Sequence, residues 1–271
     1  MSFIPPGVDP APAALAERRL FAPLAGLLQA FPGPGLPSAA AISALAVQHG
    51  LRTAEGLSLD FSAPADDGLG YEERIAACGR VEHRPDNWHD FFNALIWLAF
   101  PRAKAVLSAR HGQALVERAG QPGRGPLRDA LTQFDECGVA VLSADAELTE
   151  LLQRHEWKQV FWLRRADVEA RVRFVVFGHA LLDHLRAPFF GLCGKAVYLD
   201  VSAGWLAREP DWQRTDLDER LADWLASDLQ RPRDLKPLPL LGIPGVVAEN
   251  EAAAYYDDER QFRPLLRSSD P

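Results

Sequence analysis

Between Asn87 and Phe100 the chain sets Phe91, Phe92, Leu95, Ile96, Trp97, Leu98 and Phe100 in one dense block, and Pro101 follows. A helix that is apolar nearly all round has no face to offer water, so this segment must be the buried centre of the fold. Pro101 cannot continue it, because proline lacks the N–H and fixes φ, but proline suits the first turn of a following helix, Arg102–Ala119. Everything else has to pack around that segment.

Before it, Ala13–Ala30 carries Leu20, Leu24, Leu27 and Leu28 at helical spacing and stops at the Pro/Gly cluster Phe31–Pro37. Ser38 is placed to cap a second helix ending near Gly50, residues 51–70 read as loop, and Tyr71–Cys78 reads as a short helix closed by Gly79. Leu127–Glu136 is a further helix, and then the pattern changes. Strand-like runs at Val139–Leu142, Val172–Phe177 and Ala196–Val201 alternate with helical runs at Ala146–His155, His179–Leu185 and Leu217–Leu229, which predicts a small sheet with parallel pairs. The expected fold class is α+β: a helix-dominated single globular domain over 1–271, with a small sheet in the second half. Residues 1–12 are expected as an irregular N-terminal tail. Residues 232–271 form a Pro/Gly-rich C-terminal arm whose Leu238, Leu240, Leu241 and Ile243 pack it on the body.

The chain is acidic, with net charge −8, which argues against a dedicated nucleic-acid binder without removing a local basic patch. Leu20–Leu51 holds no charged residue, yet its prolines and glycines cut it into pieces too short to span a bilayer, so no membrane span is expected. Three scattered cysteines, Cys78, Cys137 and Cys193, make neither a disulfide framework nor a cysteine zinc site. They read as buried structural thiols of a soluble cytoplasmic protein, and Met1–Pro6 has no signal-peptide pattern.

The densest chemistry lies in His83-Arg84-Pro85-Asp86-Asn87-Trp88-His89-Asp90, continuing to Asn93: two histidines, two aspartates and two asparagines in eleven residues. Imidazole with carboxylate is what a divalent-metal site or an oriented general base requires. His83, His89, Asp90, Asn93 and His179 are the candidate catalytic residues, and Arg84, Asn87 and Trp88 the candidate ligand contacts. A structural account of the same residues is equally concrete: Asn87 caps the helix, Asp90 sits in its first turn, Arg84 pairs with Asp86 or Asp90, and Asn93 satisfies a core group. A second cluster, Gly178-His-Ala-Leu-Leu-Asp-His184, puts His179 and Asp183 on one helix face at a strand's carboxyl end. Direct cooperation of His89 with His179 requires the two side chains within a few ångströms. Joined with His89 or His83, His179 and Asp183 resemble an HD-type metal centre in residue content, though not in spacing. The order His83, Asn93, His111 resembles that of ββα-metal nucleases, but no hairpin precedes the helix and Pro101 intervenes. No phosphate loop and no nucleophile elbow occurs.

The string Asn87–Pro101, together with Arg128–Glu136, Gly178–Leu181, Leu238–Gly245, Tyr256–Asp258 and Phe262–Pro264, resembles a bacterial family catalogued as domain of unknown function 3025. The resemblance implies a soluble bacterial protein of one domain and brings no activity, cofactor or catalytic residue. From the residues themselves the expected function is a hydrolytic, metal-assisted enzyme using the His/Asp/Asn cluster at the helix start. The alternative is a non-catalytic binding or scaffold protein in which those groups are caps and core hydrogen-bonders. A divalent metal ion is the candidate cofactor, and the sequence identifies no substrate or partner.

Overall fold

The structure is a computed structural model and describes residues 11–118, 120 and 123–265. The apolar block forms helix α4 (Trp88–Ala99), in which Phe91, Phe92, Leu95, Ile96 and Trp97 are fully buried and Leu98 nearly so. Asn87 caps it, its Oδ1 accepting from Asp90 N at 3.0 Å. The helix ends because Phe100, the residue before proline, leaves the α region (φ −133, ψ 60), and Pro101 then opens α5 (Pro101–Glu117). The free N–H groups at that corner are met from a distance: Asp218 accepts from Arg102 N at 3.1 Å and Ala103 N at 2.9 Å. Asp218 lies on α11 (Pro210–Ser227), so α5 and α11 are pinned together.

The other helices are α1 (Ala25–Gln29), α2 (Ala39–Gln48), α3 (Tyr71–Cys78), α6 (Pro126–Cys137), α7 (Ala146–Gln153), α8 (Arg165–Arg171), α9 (His179–Arg186) and α10 (Ala203–Leu206), of which α9 and α2 pack directly on α4 along with α5. The expected sheet in the second half is present. Strands β3 (Gly138–Ser143), β4 (Val172–Val176), β5 (Cys193–Asp200) and β6 (Lys236–Pro239) run in the order β4-β3-β5-β6, with the central β3–β5 pair parallel and both outer pairs antiparallel. β6 comes from the Pro-rich arm. Its Pro237 and Pro239 are tolerated because the strand is an edge, where a missing N–H costs no ladder bond. The arm is held down as expected: Leu238, Leu240 and Ile243 are fully buried, and Asn250 Nδ2 donates to the carbonyls of Leu241 and Ile243.

Three expectations are corrected. Ala13–Ala30 is not one helix but two 3-10 turns (Pro12–Leu15, Arg19–Leu24) followed by α1. Pro23 removes an interior N–H, and the chain breaks at extended Arg18, whose guanidinium caps the carboxyl end of α9 through the Leu185 and Arg186 carbonyls at 3.0 and 2.8 Å. Residues 51–70 contain β1 (Asp60–Ser62), paired in parallel with β2 (Arg80–Glu82); three-residue strands are too short to show an alternating pattern. Cys78 and Cys193 are exposed, not buried. Most of the expected tail 1–12 lies outside the described residues, as do positions 119, 121, 122 and 266–271. Among the described residues no helix is long and apolar enough to cross a membrane.

Candidate metal centre

Three helix ends meet beside α3. His89 stands in the first turn of α4, Glu136 in the last turn of α6, and His179 is the first residue of α9. The approach of α9 to α6 is set by Gly178. A Cβ there would lie 2.5 Å from both the Glu136 carbonyl oxygen and Gly138 N, and 2.6 Å from Cys137 Cα. Phe177 N and Gly178 N both donate to the Gly138 carbonyl at 2.9 Å, so the turn from β4 into α9 is pressed onto the α6–β3 junction. No side chain fits in that gap, and this is what brings His179 against Glu136. Replacing Gly178 with alanine is expected to cost about 1–3 kcal/mol, the usual penalty of forcing a methyl into a filled space. Urea unfolding measures it, and a change below about 0.5 kcal/mol, the scale of an ordinary surface substitution, contradicts the close approach.

The donor atoms converge. His89 Nε2 and His179 Nε2 are 3.1 Å apart, His179 Nε2 is 3.6 Å from Glu136 Oε2, and one donor atom from each of the three residues lies within 4.8 Å of the others. Ligands about 2.0–2.2 Å from a tetrahedral ion stand about 3.3–3.6 Å from one another; the His179–Glu136 separation lies in that range and the His89–His179 one just below it, so small side-chain rotations would complete a three-ligand site with an open fourth position. His179 is buried, while His89 and Glu136 are half-buried, so the open side faces a cavity of about 390 Å³. Burial first, then the neighbouring His179, holds His89 below the ordinary imidazole value and leaves it a neutral donor.

Behind His179 lies a charged network. Its Nδ1 is buried without a hydrogen-bond partner and faces Asp135 Oδ1 across 3.7 Å, a carboxylate that would orient the imidazole if the gap closed to hydrogen-bond length. Lys104, 2% exposed, donates to Asp135 Oδ1 at 2.6 Å and to Asn93 Oδ1 at 2.9 Å. Asn93 Nδ2 in turn donates to Tyr71 Oη at 2.8 Å. Burial pushes Asp135 up, but the Lys104 ammonium and His179 outweigh it and hold the carboxyl well below the usual range. Tyr71 is raised well above its ordinary value, by burial and then by the charges of Glu72 and Asp135, and so keeps its proton. Since its oxygen already accepts from Asn93, that proton is left to donate elsewhere.

Glu72 lines the same cavity and accepts from Ser108 Oγ at 2.8 Å. Burial and the charge of Asp135 push it up to about 7, against the opposing pull of Lys104, Ser108 and Arg128. Its carboxyl therefore binds its proton more tightly folded than unfolded, and stability contributed by this group falls as pH rises from about 4.5 through about 7. The difference in unfolding free energy between Glu72→Gln and wild type is expected to grow in favour of the variant across that window. A difference that stays flat with pH contradicts the shift.

The sequence-predicted residues divide. His89 and His179 come together, and Asn93 joins them through Lys104. Asp90 and Arg84 line the cavity but neutralise each other: Asp90 accepts from Arg84 N, Nε and Nη2 at 2.7–2.8 Å. Asn87 is the cap, and Trp88 is buried with Arg186 stacked on it at 4.1 Å. His83 is buried edge-on to Phe61 and does not line the cavity. His111 does line it, with burial holding it down to about 4, but β1 and β2 are parallel, so the hairpin of the nuclease comparison is absent there. Asp183 pairs with Arg186 at 2.7 Å and takes no part. Sequence reasoning missed Glu136, Asp135, Tyr71, Glu72 and Lys104. One signal was available: Lys104 is one of four lysines in a chain that otherwise uses arginine.

The family model described as "Protein of unknown function (DUF3025)" matches residues 59–266, most of the chain, and the protein belongs to that family. No curated protein and no solved structure matches the chain. The matched span contains all three converging residues.

Proposed function

We propose that this member of the DUF3025 family is a metal-dependent hydrolase that holds one divalent ion through His89, Glu136 and His179. The observation that carries the reading is the convergence of two imidazole nitrogens and a carboxylate oxygen within 4.8 Å at the wall of a solvent-reachable cavity. Two histidines and one glutamate with an open position is the donor set of catalytic rather than structural zinc sites. An ion there supplies a nucleophilic water at neutral pH. The chain's own groups supply the rest. Lys104 and Asp135 orient His179, Tyr71 offers a hydrogen-bond donor to developing negative charge, and Glu72, able to exchange a proton near neutrality, serves as general acid or base.

The competing reading is a scaffold protein in which His89 and His179 simply hydrogen-bond, and the 3.1 Å Nε2–Nε2 distance is of hydrogen-bond length. Metal analysis separates the two. The purified chain is expected to carry or take up about one equivalent of zinc or manganese, the stoichiometry of a single three-ligand site, and to lose it in His89→Ala, Glu136→Gln and His179→Ala. Ester, amide and phosphoester panels are expected to show turnover abolished by chelation and restored by the ion. Failure of the wild type to bind either metal in titration supports the scaffold.

A further inference from the structure

Eight residues before Glu136 on the same helix is Arg128, and with Thr132, Asp135 and Glu136 it forms the α6 face that lines the cavity. Its Nε is shut off from solvent and has no hydrogen-bond partner, and among the described residues no carboxylate pairs with its guanidinium. Of the other arginines that line the cavity, Arg84 is engaged by Asp90, while Arg124 has no carboxylate partner among the described residues and adds a second positive charge to the same wall. A guanidinium half-buried at a cavity wall with no carboxylate hydrogen-bonded to it is unusual, because removing its donors from water goes uncompensated.

We propose that the cavity takes a small molecule bearing an oxyanion group, carboxylate or phosphate, which Arg128 binds at the end away from His89, Glu136 and His179. The planar fork of arginine suits such a group in two-pronged fashion, and Thr132, one turn along, adds a hydroxyl beside it. Eight helical residues advance about 12 Å along the axis, so a ligand spanning from Arg128 to the three converging residues has the length of a dipeptide or a sugar phosphate. A volume of about 390 Å³ holds a molecule of that size. Glu72 is near enough to feel the charge of Arg128 but makes no hydrogen bond or ion pair with it among the described residues, so the donors of the guanidinium are left unpaired. The inference rests on the metal-centre reading for what happens at the far end of the cavity, while the anion contact itself needs no metal.

The test is calorimetric titration of the full chain, freed of metal by chelation, with inorganic phosphate and separately with succinate. Wild type is expected to bind at least one of them saturably, and whichever binds tells a phosphate-bearing from a carboxylate-bearing substrate. Arg128→Gln is expected to weaken that binding by about tenfold or more, the loss of a charge-assisted bidentate contact, while retaining its zinc uptake. Arg220→Gln, which removes the same charge from a distant exposed pair with Asp216, is expected to leave it within about twofold, since a remote exposed charge is largely screened. Binding of neither anion by wild type, or equal binding by Arg128→Gln, overturns the inference. If wild type binds no zinc but still binds an anion through Arg128, the metal reading fails and this one stands. Zinc uptake without anion binding does the reverse: the metal centre stands and the anion site falls.

Discussion

Replacing Lys104 with methionine is expected to destabilise the protein by about 3–5 kcal/mol, the cost of leaving a buried carboxylate without its partner. Lys104 and Asp135 are both buried, their ion pair is 2.6 Å long, and Lys104 also satisfies Asn93. Methionine keeps the stem's volume and removes only the charge and the donor. In the wild type Asp135 titrates below its unfolded value, so its contribution is present above the ordinary carboxylate range and is lost as pH falls through the folded one. Without Lys104 burial dominates, the sign reverses, and the variant is expected to lose stability as pH rises. Chemical denaturation at several pH values measures this, and adding Asp135→Asn is expected to recover much of the loss. A cost below about 1 kcal/mol for the single variant would place Asp135 in contact with solvent and overturn the network, since exposed ion pairs contribute no more than that. The same variant also tests the proposed metal site: with Asp135 no longer fixed behind His179, metal affinity is expected to fall about 10- to 100-fold.

That network also shows what a sequence can and cannot reveal. The buried helix was legible because its apolar residues leave no polar face, and Asn87 and Pro101 mark its ends by local backbone chemistry. His89 and His179 stood out as histidines beside acids, and their placement at a helix start and just past a strand made His179 the candidate long-range partner of a site at the start of α4. Glu136 and Asp135 did not stand out. They sit on an amphipathic helix with Arg128, Asp129 and Thr132, and a polar helix face ordinarily means solvent. The seat of Gly178 against residues 136–138 and the buried Lys104–Asp135 pair hold that face inward, and such long-range packing leaves no periodic trace. His83 misled for the converse reason. It is as near to His89 in sequence as Arg84 and Asp90 are to each other, but it follows β2 and packs on Phe61 instead of facing the cavity. Proximity along the chain predicted the local Arg84–Asp90 pair well, and the long-range site only through residues whose chemistry was conspicuous.

Truncating Trp97 to alanine is expected to cost about 3–5 kcal/mol, the range for removing a large buried aromatic side chain. Trp97 is fully buried on α4, and the surrounding helices cannot collapse into the space because α4 is hemmed in on every side. Part of the side chain contributes nothing: its Nε1 is buried with no hydrogen-bond partner among the described residues, a group whose desolvation is uncompensated. Trp97→Phe removes that donor and keeps most of the apolar bulk, so its cost is expected to stay below about 1.5 kcal/mol, as for other near-conservative apolar swaps. The ring also lies beneath Lys104, with Nζ 5.4 Å from its centroid, which ties the core to the ion pair that faces His179. A double-mutant cycle of Trp97→Ala with Lys104→Met is therefore expected to be non-additive by at least about 0.5 kcal/mol, because residues in contact share their effects. Strict additivity would mean that the lysine is held by Asp135 and Asn93 alone, and that the proposed metal site is insulated from the helix beneath it.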